Sequence, residues 1–203
     1  VGDFASSNAH IDRQLEMMNL TNPGPNIEYA VTAFCIPYAA QMSGSLSQLR
    51  SANGLANAVV SSHSVTPFIE KSARIGLAVT AVLTHDESEA TEQYPAIAEL
   101  KKAVPFFWVS VDRVLGLLAH TIGKLDDSQT HFDDAIAICR ESGYVTELAW
   151  SLHDYADMLL ERDGEGDKVK AITMLDEALQ ISSDLGMRPL MERVLSKREF
   201  LKA

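Results

Sequence analysis

The residues from Val109 to Gly143, VSVDRVLGLLAHTIGKLDDSQTHFDDAIAICRESG, constrain the fold of this chain more than any other stretch. Their apolar spacing is helical on both sides of Gly123, and the glycine marks a tight turn, so the stretch reads as two antiparallel helices. Leu115-Gly116 lies in the first helix. Gly123 follows seven residues after Gly116, and Phe132 and Ala135 take a large and a small position in the second helix. Small residues at Gly116 and Ala135 let helices approach closely, while Phe132 fills the space between neighbouring hairpins. Such a hairpin cannot bury its apolar face alone, so similar hairpins are expected on either side.

The flanking sequence supplies them. Ser7 to Leu20 forms one helix with Ile11, Leu15 and Met18 on a single face, the second half of an incomplete repeat or a capping helix. Thr21 to Asn26 is a turn, and Asn26 is a plausible N-cap. Ile27 to Met42 is apolar nearly all round, with Pro37 expected to kink or restart it and Gly44 to end it. Leu46 to Val60 returns, with Leu49, Ala52, Ala56 and Val59 inward and Asn53 where a large apolar residue would normally sit. Phe68 to Thr84 and Glu89 to Ala103 form the next hairpin. Asp86 or Ser88 caps its second helix, and Tyr94 stands at the position of Phe132. Val104 to Trp108 is an aromatic link packed across a helix end. Thr146 to Arg162 and Lys168 to Leu185 close the series around the acidic turn Asp163 to Asp167, with Leu175 at the large position. Gly186 stops that helix, and Pro189 sits in the first turn of a last one, Pro189 to Leu201.

The Leu-Gly pair, the turn glycine and the large and small positions resemble the tetratricopeptide repeat (TPR). The equivalent spacings, 38 residues from Tyr94 to Phe132 and 43 from Phe132 to Leu175, exceed the TPR norm of about 34; longer helices and the five-residue turn account for the excess. The expected fold is all-α, a right-handed superhelical stack of TPR-like hairpins (an α-α solenoid). It forms a single domain over residues 1–203, with hairpins at about 27–60, 68–103, 109–143 and 146–185 and a capping helix at 189–201. The runs Val111 to Ala119, Glu147 to Trp150, His153 to Asp157 and Leu185 to Leu195 are similar to the C-terminal helical repeats of large bacterial signalling proteins. In those proteins an AAA- or STAND-type ATPase module precedes the repeats, often with a class III adenylate/guanylate cyclase further upstream, and related repeats occur in LuxR-type regulators. The resemblance implies a regulatory sensor or scaffold region. The chain has no P-loop GxxxxGK[ST] and no cyclase motif, so neither activity is implied for it.

Charge narrows the partners. With 28 acidic and 17 basic residues the net charge is −11, which counts against a nucleic-acid surface, because phosphate contacts need clustered Lys and Arg. The basic residues Arg188, Arg193, Lys197, Arg198 and Lys202 read as the solvated face of the last helix. No run approaches the ~18–20 apolar residues of a membrane span. The N-terminus shows no signal-peptide pattern and lacks an initiator Met, which suggests processing or a fragment. Cys35 and Cys139 are far apart on apolar faces and read as buried free thiols in a reducing, cytoplasmic compartment.

The best enzymatic competitor is an all-α metal phosphohydrolase of the HD type, which needs a His, a His-Asp pair and a distant Asp around a metal. The chain offers His85-Asp86 and His153-Asp154, with His63, His120 and His131 as further donors, but His85-Asp86 falls in a repeat turn where a capping Asp is expected. The acidic turn at 163–167 does not fit a calcium loop, since Lys168 and Met174 occupy the places that need Gly and Glu. No catalysis, metal or cofactor is expected. Stacked hairpins curve, and their first helices line the concave side. Arg113, Leu117 and His120 of one hairpin and Trp150, His153, Asp157 and Glu161 of the next should therefore form a groove for a protein or peptide partner or a small-molecule effector. Each has a plainer reading beside it: Trp150 as core, Arg113 paired with Asp112 at the surface, His153 as a cap or hydrogen-bonding group. The alternative role is homo-oligomerisation through exposed end helices.

Overall fold

The computed structural model describes residues 4–99 and 109–202, and within them the chain is all-α: ten helices and no strand. None of these helices is long and apolar enough to cross a membrane. One domain was expected over residues 1–203. The described helices instead gather in two compact units, one holding the five helices of residues 4–99 and the other the five that follow.

In the first unit the helices are α1 (Phe4–Met18), α2 (Ile27–Ser43), α3 (Leu49–Val60), α4 (Pro67–Thr84) and α5 (Glu87–Ala98). Local chemistry sets most of their ends. The Asn26 side chain accepts a hydrogen bond from the Tyr29 N–H at 2.9 Å and starts α2, and Asp86 does the same for α5 through the Glu89 N–H at 3.0 Å. Gly44, at φ +78°, closes α2 in the left-handed conformation. The apolar circumference of α2 has its cause in packing: α1, α3 and α4 all pack against it. Ala30, Ala33, Ala56, Val59, Ala73 and Leu77 are buried together where they meet. The Val104–Trp108 link, and the expected extension of α5 as far as Ala103, lie outside the described residues.

Pro37 does not restart α2, which runs unbroken from Ile27 to Ser43 with Pro37 buried inside it. Proline has no N–H to offer the carbonyl four residues back, here that of Ala33. That carbonyl faces Gly76 of α4, so closely that a Cβ on Gly76 would lie 2.3 Å from the Ala33 oxygen. Asn53 is half-buried, and its Oδ1 has no hydrogen-bond partner among the described residues. Tyr94 is only half-buried, while the neighbouring Gln93 is buried.

The second unit contains α6 (Val111–Thr121), α7 (Leu125–Ser142), α8 (Val145–Arg162), α9 (Asp167–Asp184) and α10 (Arg188–Lys202). The α6–α7 hairpin has the packing its sequence implies. A Cβ on Gly116 would sit 3.0 Å from the Phe132 ring, so the glycine makes room for that ring. Ser128 donates to the Gly116 carbonyl at 2.8 Å, and Phe132 stacks on Tyr155 of α8 with ring centroids 5.3 Å apart. Packed by α6, α7 and α9, α8 buries twelve residues along its length. The acidic turn before α9 is an ordered clasp. Arg162 donates two hydrogen bonds to the Asp167 carboxylate, at 2.8 and 2.7 Å, and the Gly164 N–H adds a third at 2.9 Å.

The last helix, α10, docks on α9 and buries only Leu190 and Val194 completely. Two such side chains contribute about 1.5–3 kcal/mol each. The basic stripe expected on its solvated face is in large part turned inward. Lys197 pairs with Asp157, Arg198 with Asp176 at 2.9 Å, and the Arg193 guanidinium lies 5.4 Å from the Trp150 ring centroid. The acidic partners on α8 and α9 draw these cations in; half-exposed pairs of this kind are worth about 0–1 kcal/mol apiece.

Candidate functional site

The expected groove residues converge on the α6–α8 side of the second unit, with a buried half and an accessible half. Arg113 is 1% exposed, Trp150 4% and His153 6%, so these three do not line an open groove. Arg113 can be buried because its charge is met on two sides. Its Nε donates to Asp154 Oδ2 at 2.7 Å, and its Nη1 approaches Glu147 Oε1 at 3.2 Å. Glu147 Oε1 also accepts from the Ser110 backbone N–H at 2.9 Å, and Ser110 Oγ caps α6 by accepting from the Arg113 N–H. One carboxylate of α8 thereby holds both the start of α6 and its arginine. The other oxygen of Asp154 meets His153 Nδ1 at 3.0 Å, and His153 Nε2 lies 4.0 Å from Asp157. The Arg113 guanidinium also rests 5.6 Å from the Trp150 ring centroid.

Burial disfavours ionisation of both carboxyls, and their partners decide the outcome. At Asp154 the Arg113 charge and the His153 hydrogen bond outweigh burial and hold the pKa down to about 2. At Glu147, which has the longer contacts to Arg113, burial wins over the arginine and the Ser110 N–H and pushes the carboxyl up. Cys139 lies in the same field: burial first, then Glu147, raises its thiol to about 11. Cys35 is half-buried, also with its pKa raised by burial, and both cysteines are free.

The accessible half consists of Leu117 and His120 on α6 with Asp157 and Glu161 on α8. His120 Nε2 meets Glu161 Oε2 at 3.0 Å, and that glutamate side chain is 74% exposed. Leu117, His120 and Asp157 are half-buried. The Arg113–Asp154 and His120–Glu161 pairs fall in the same order along both helices, so α6 and α8 run parallel. Together these groups offer an aliphatic contact, an imidazole and carboxylates to a visiting polar chain, and no activated nucleophile.

The histidine–aspartate dipeptides are otherwise engaged. His85, at φ +53°, ends α4 and Asp86 caps α5, while His153-Asp154 belongs to the Arg113 cluster. Among the described residues, no group of three or more His, Cys, Asp or Glu side chains is placed to hold a metal ion. Ser110 and Asp176 had no expected role, and Arg193 and Lys197 were expected only on a solvated face. The legible signal was the spacing of Leu190, Arg193, Val194, Lys197 and Arg198, one helical stripe carrying both aliphatic and cationic groups. Comparison of the chain with family models, with curated proteins and with solved structures finds no match.

Proposed function

We propose that this chain is a non-catalytic interaction or ligand-sensing module made of TPR-like hairpins, a part of a larger bacterial regulator acting in the cytoplasm. A repeated register carries the proposal. Arg140 of α7 pairs with Glu177 of α9, 37 residues on, and Asp133 pairs with Lys170 at the same separation and 3.6 Å. The two pairs fall in the same order along α7 and α9, so these second helices run in one direction, as the first helices α6 and α8 do. Successive hairpins of a right-handed TPR-like stack meet in this way, and beside the part of α8 that α10 covers, Leu117 and His120 stay partly accessible and Glu161 exposed. The buried Arg113–Glu147–Asp154 cluster holds α6 and α8 in one arrangement, and Leu117, His120 and Glu161 present the contacts, next to Asp157 in its pair with Lys197. A protein, peptide or small effector binding there stabilises one arrangement of the hairpins and so biases attached domains.

Selection of peptides from a random display library against the purified chain tests this. Binders should lose at least tenfold in affinity to chains carrying Leu117→Glu or His120→Ala, with helical circular dichroism unchanged. Peptides indifferent to both substitutions would count against the site. Homo-oligomerisation is a second reading, favoured by Leu195 and by Phe200, which is 83% exposed on α10; native mass spectrometry over a concentration series separates the two.

A further inference from the structure

We propose that the face of α8 and α9 beneath α10 is a docking surface for a basic amphipathic helix, occupied here by the chain's own α10 and open to a partner's helix of the same pattern. This rests on the interaction-module reading and names the chemistry of the partner.

The inward side of α10 is a single stripe. Leu190, Arg193, Val194, Lys197 and Arg198 stand at i, i+3, i+4, i+7 and i+8, the anchor spacing by which a helix is read in a groove. Each anchor has its own contact. Leu190 and Val194 are fully buried, Arg193 covers the Trp150 ring, Lys197 takes Asp157 and Arg198 takes Asp176. The receiving residues on α8, Trp150 and Asp157, are themselves one face of a helix, with His153 between them.

Charge sets this contact apart from the rest of the unit. Three of its five anchors are cations, whereas α7 meets its neighbours chiefly through Phe132, Ala135, Ile136 and Cys139. Its ion pairs are partly exposed, with Asp176 at 51% and Lys197 at 35% side-chain exposure, so salt screens them. And α10 carries five basic residues to two acidic ones on a chain with 28 acidic residues to 17 basic, so any helix of its kind is drawn to the rest of the molecule. A short link, Leu185-Gly186-Met187, with Gly186 at φ +66°, joins α10 to α9. These features suit an exchangeable occupant better than a fixed part of the core.

The test uses the full chain and a fluorescein-labelled synthetic peptide of residues 186–203. Lys197→Glu with Arg198→Glu loosens the resident helix; Asp157→Asn with Asp176→Asn blunts the receiving face. The first chain should bind the peptide at least tenfold more tightly than the unaltered chain. Adding the two Asn substitutions, or raising salt from 50 to 500 mM, should remove at least tenfold of that affinity. A scrambled peptide of equal charge should not bind. Amide exchange in α10 of the unaltered chain should quicken with salt while α8 stays protected. Equal binding of the scrambled peptide, no binding to the loosened chain, or exchange of α10 and α8 as one unit at every salt concentration would overturn the proposal. Display-selected peptides that map to Leu117 and His120 while the 186–203 peptide stays unbound would sink it and leave the module reading intact.

Discussion

The carbonyl of Ala33 and the α-carbon of Gly76 meet face to face where α2 crosses α4, at a distance that leaves no room for a side chain on the glycine. Pro37 lies one helical turn beyond that carbonyl and cannot hydrogen-bond to it. Gly76→Ala should therefore cost about 3 kcal/mol, because the obstacle is backbone and the helices must separate. Gly54 is the control: it is exposed in α3 with nothing near its missing Cβ. Gly54→Ala should stabilise by about 0.5–1 kcal/mol through helix propensity alone. Urea unfolding of the two variants should move the midpoint in opposite directions.

The Arg113 cluster predicts an asymmetry between its two carboxylates. Asp154 is held at about 2 in the fold, below its ordinary 3.8. Its contribution is therefore complete above the unfolded value and lost as pH falls toward 2, and it is worth about 2 kcal/mol at neutral pH. Glu147 is shifted upward, so the fold favours its protonated form; that contribution is present at low pH and is lost as pH rises through the raised value. Asp154→Asn should cost about 2 kcal/mol at pH 7 and flatten the acid limb between pH 4 and 2. Glu147→Gln, which resembles the protonated form and keeps an acceptor for Ser110, should cost less than about 1 kcal/mol. Equal losses at neutral pH would contradict this account.

The thiols are protected by the same burial. With Cys139 pushed up to about 11 and Cys35 also raised, little thiolate exists at pH 8. An aromatic disulfide reagent should label the native chain slowly, Cys35 ahead of the buried Cys139, and both at once in denaturant. Fast labelling of Cys139 in the native chain would mean that the α7–α8 contact opens readily.

What the sequence made legible was local. Asn26, Asp86, Gly143 and Gly186 act within a turn or two of themselves, and the helix ends they imply match the structure closely. Gly116 and Phe132 belong to one hairpin, so their fit could be read from spacing. The unreadable parts depend on partners far along the chain. Ala33 meets the backbone of Gly76 because α4 packs on α2, Arg113 is buried because Glu147 and Asp154 arrive from α8, and the cations of α10 turn inward because Asp157 and Asp176 await them. The division into two units was equally hidden, since the helices of both share one style of periodicity. At the candidate site spacing placed the residues on one side of α6 and α8 but did not give their exposure, because a cation's burial is set by its counter-charges and not by its place on a helix.

The Gly116–Phe132 contact offers the sharpest check on the hairpin itself. An added Cβ at Gly116 would meet three ring atoms of Phe132 at 3.0 Å, and the ring cannot retreat, being fully buried and stacked on Tyr155. Gly116→Ala should cost about 1–3 kcal/mol by overpacking. Phe132→Leu, which removes ring volume from a closed core, should cost a similar amount by leaving a void. The two errors are complementary in volume, so the double variant should be more stable than the sum of the losses implies, with a favourable coupling of about 1 kcal/mol. Strict additivity in a double-mutant cycle would show that the glycine is needed for some reason other than the ring.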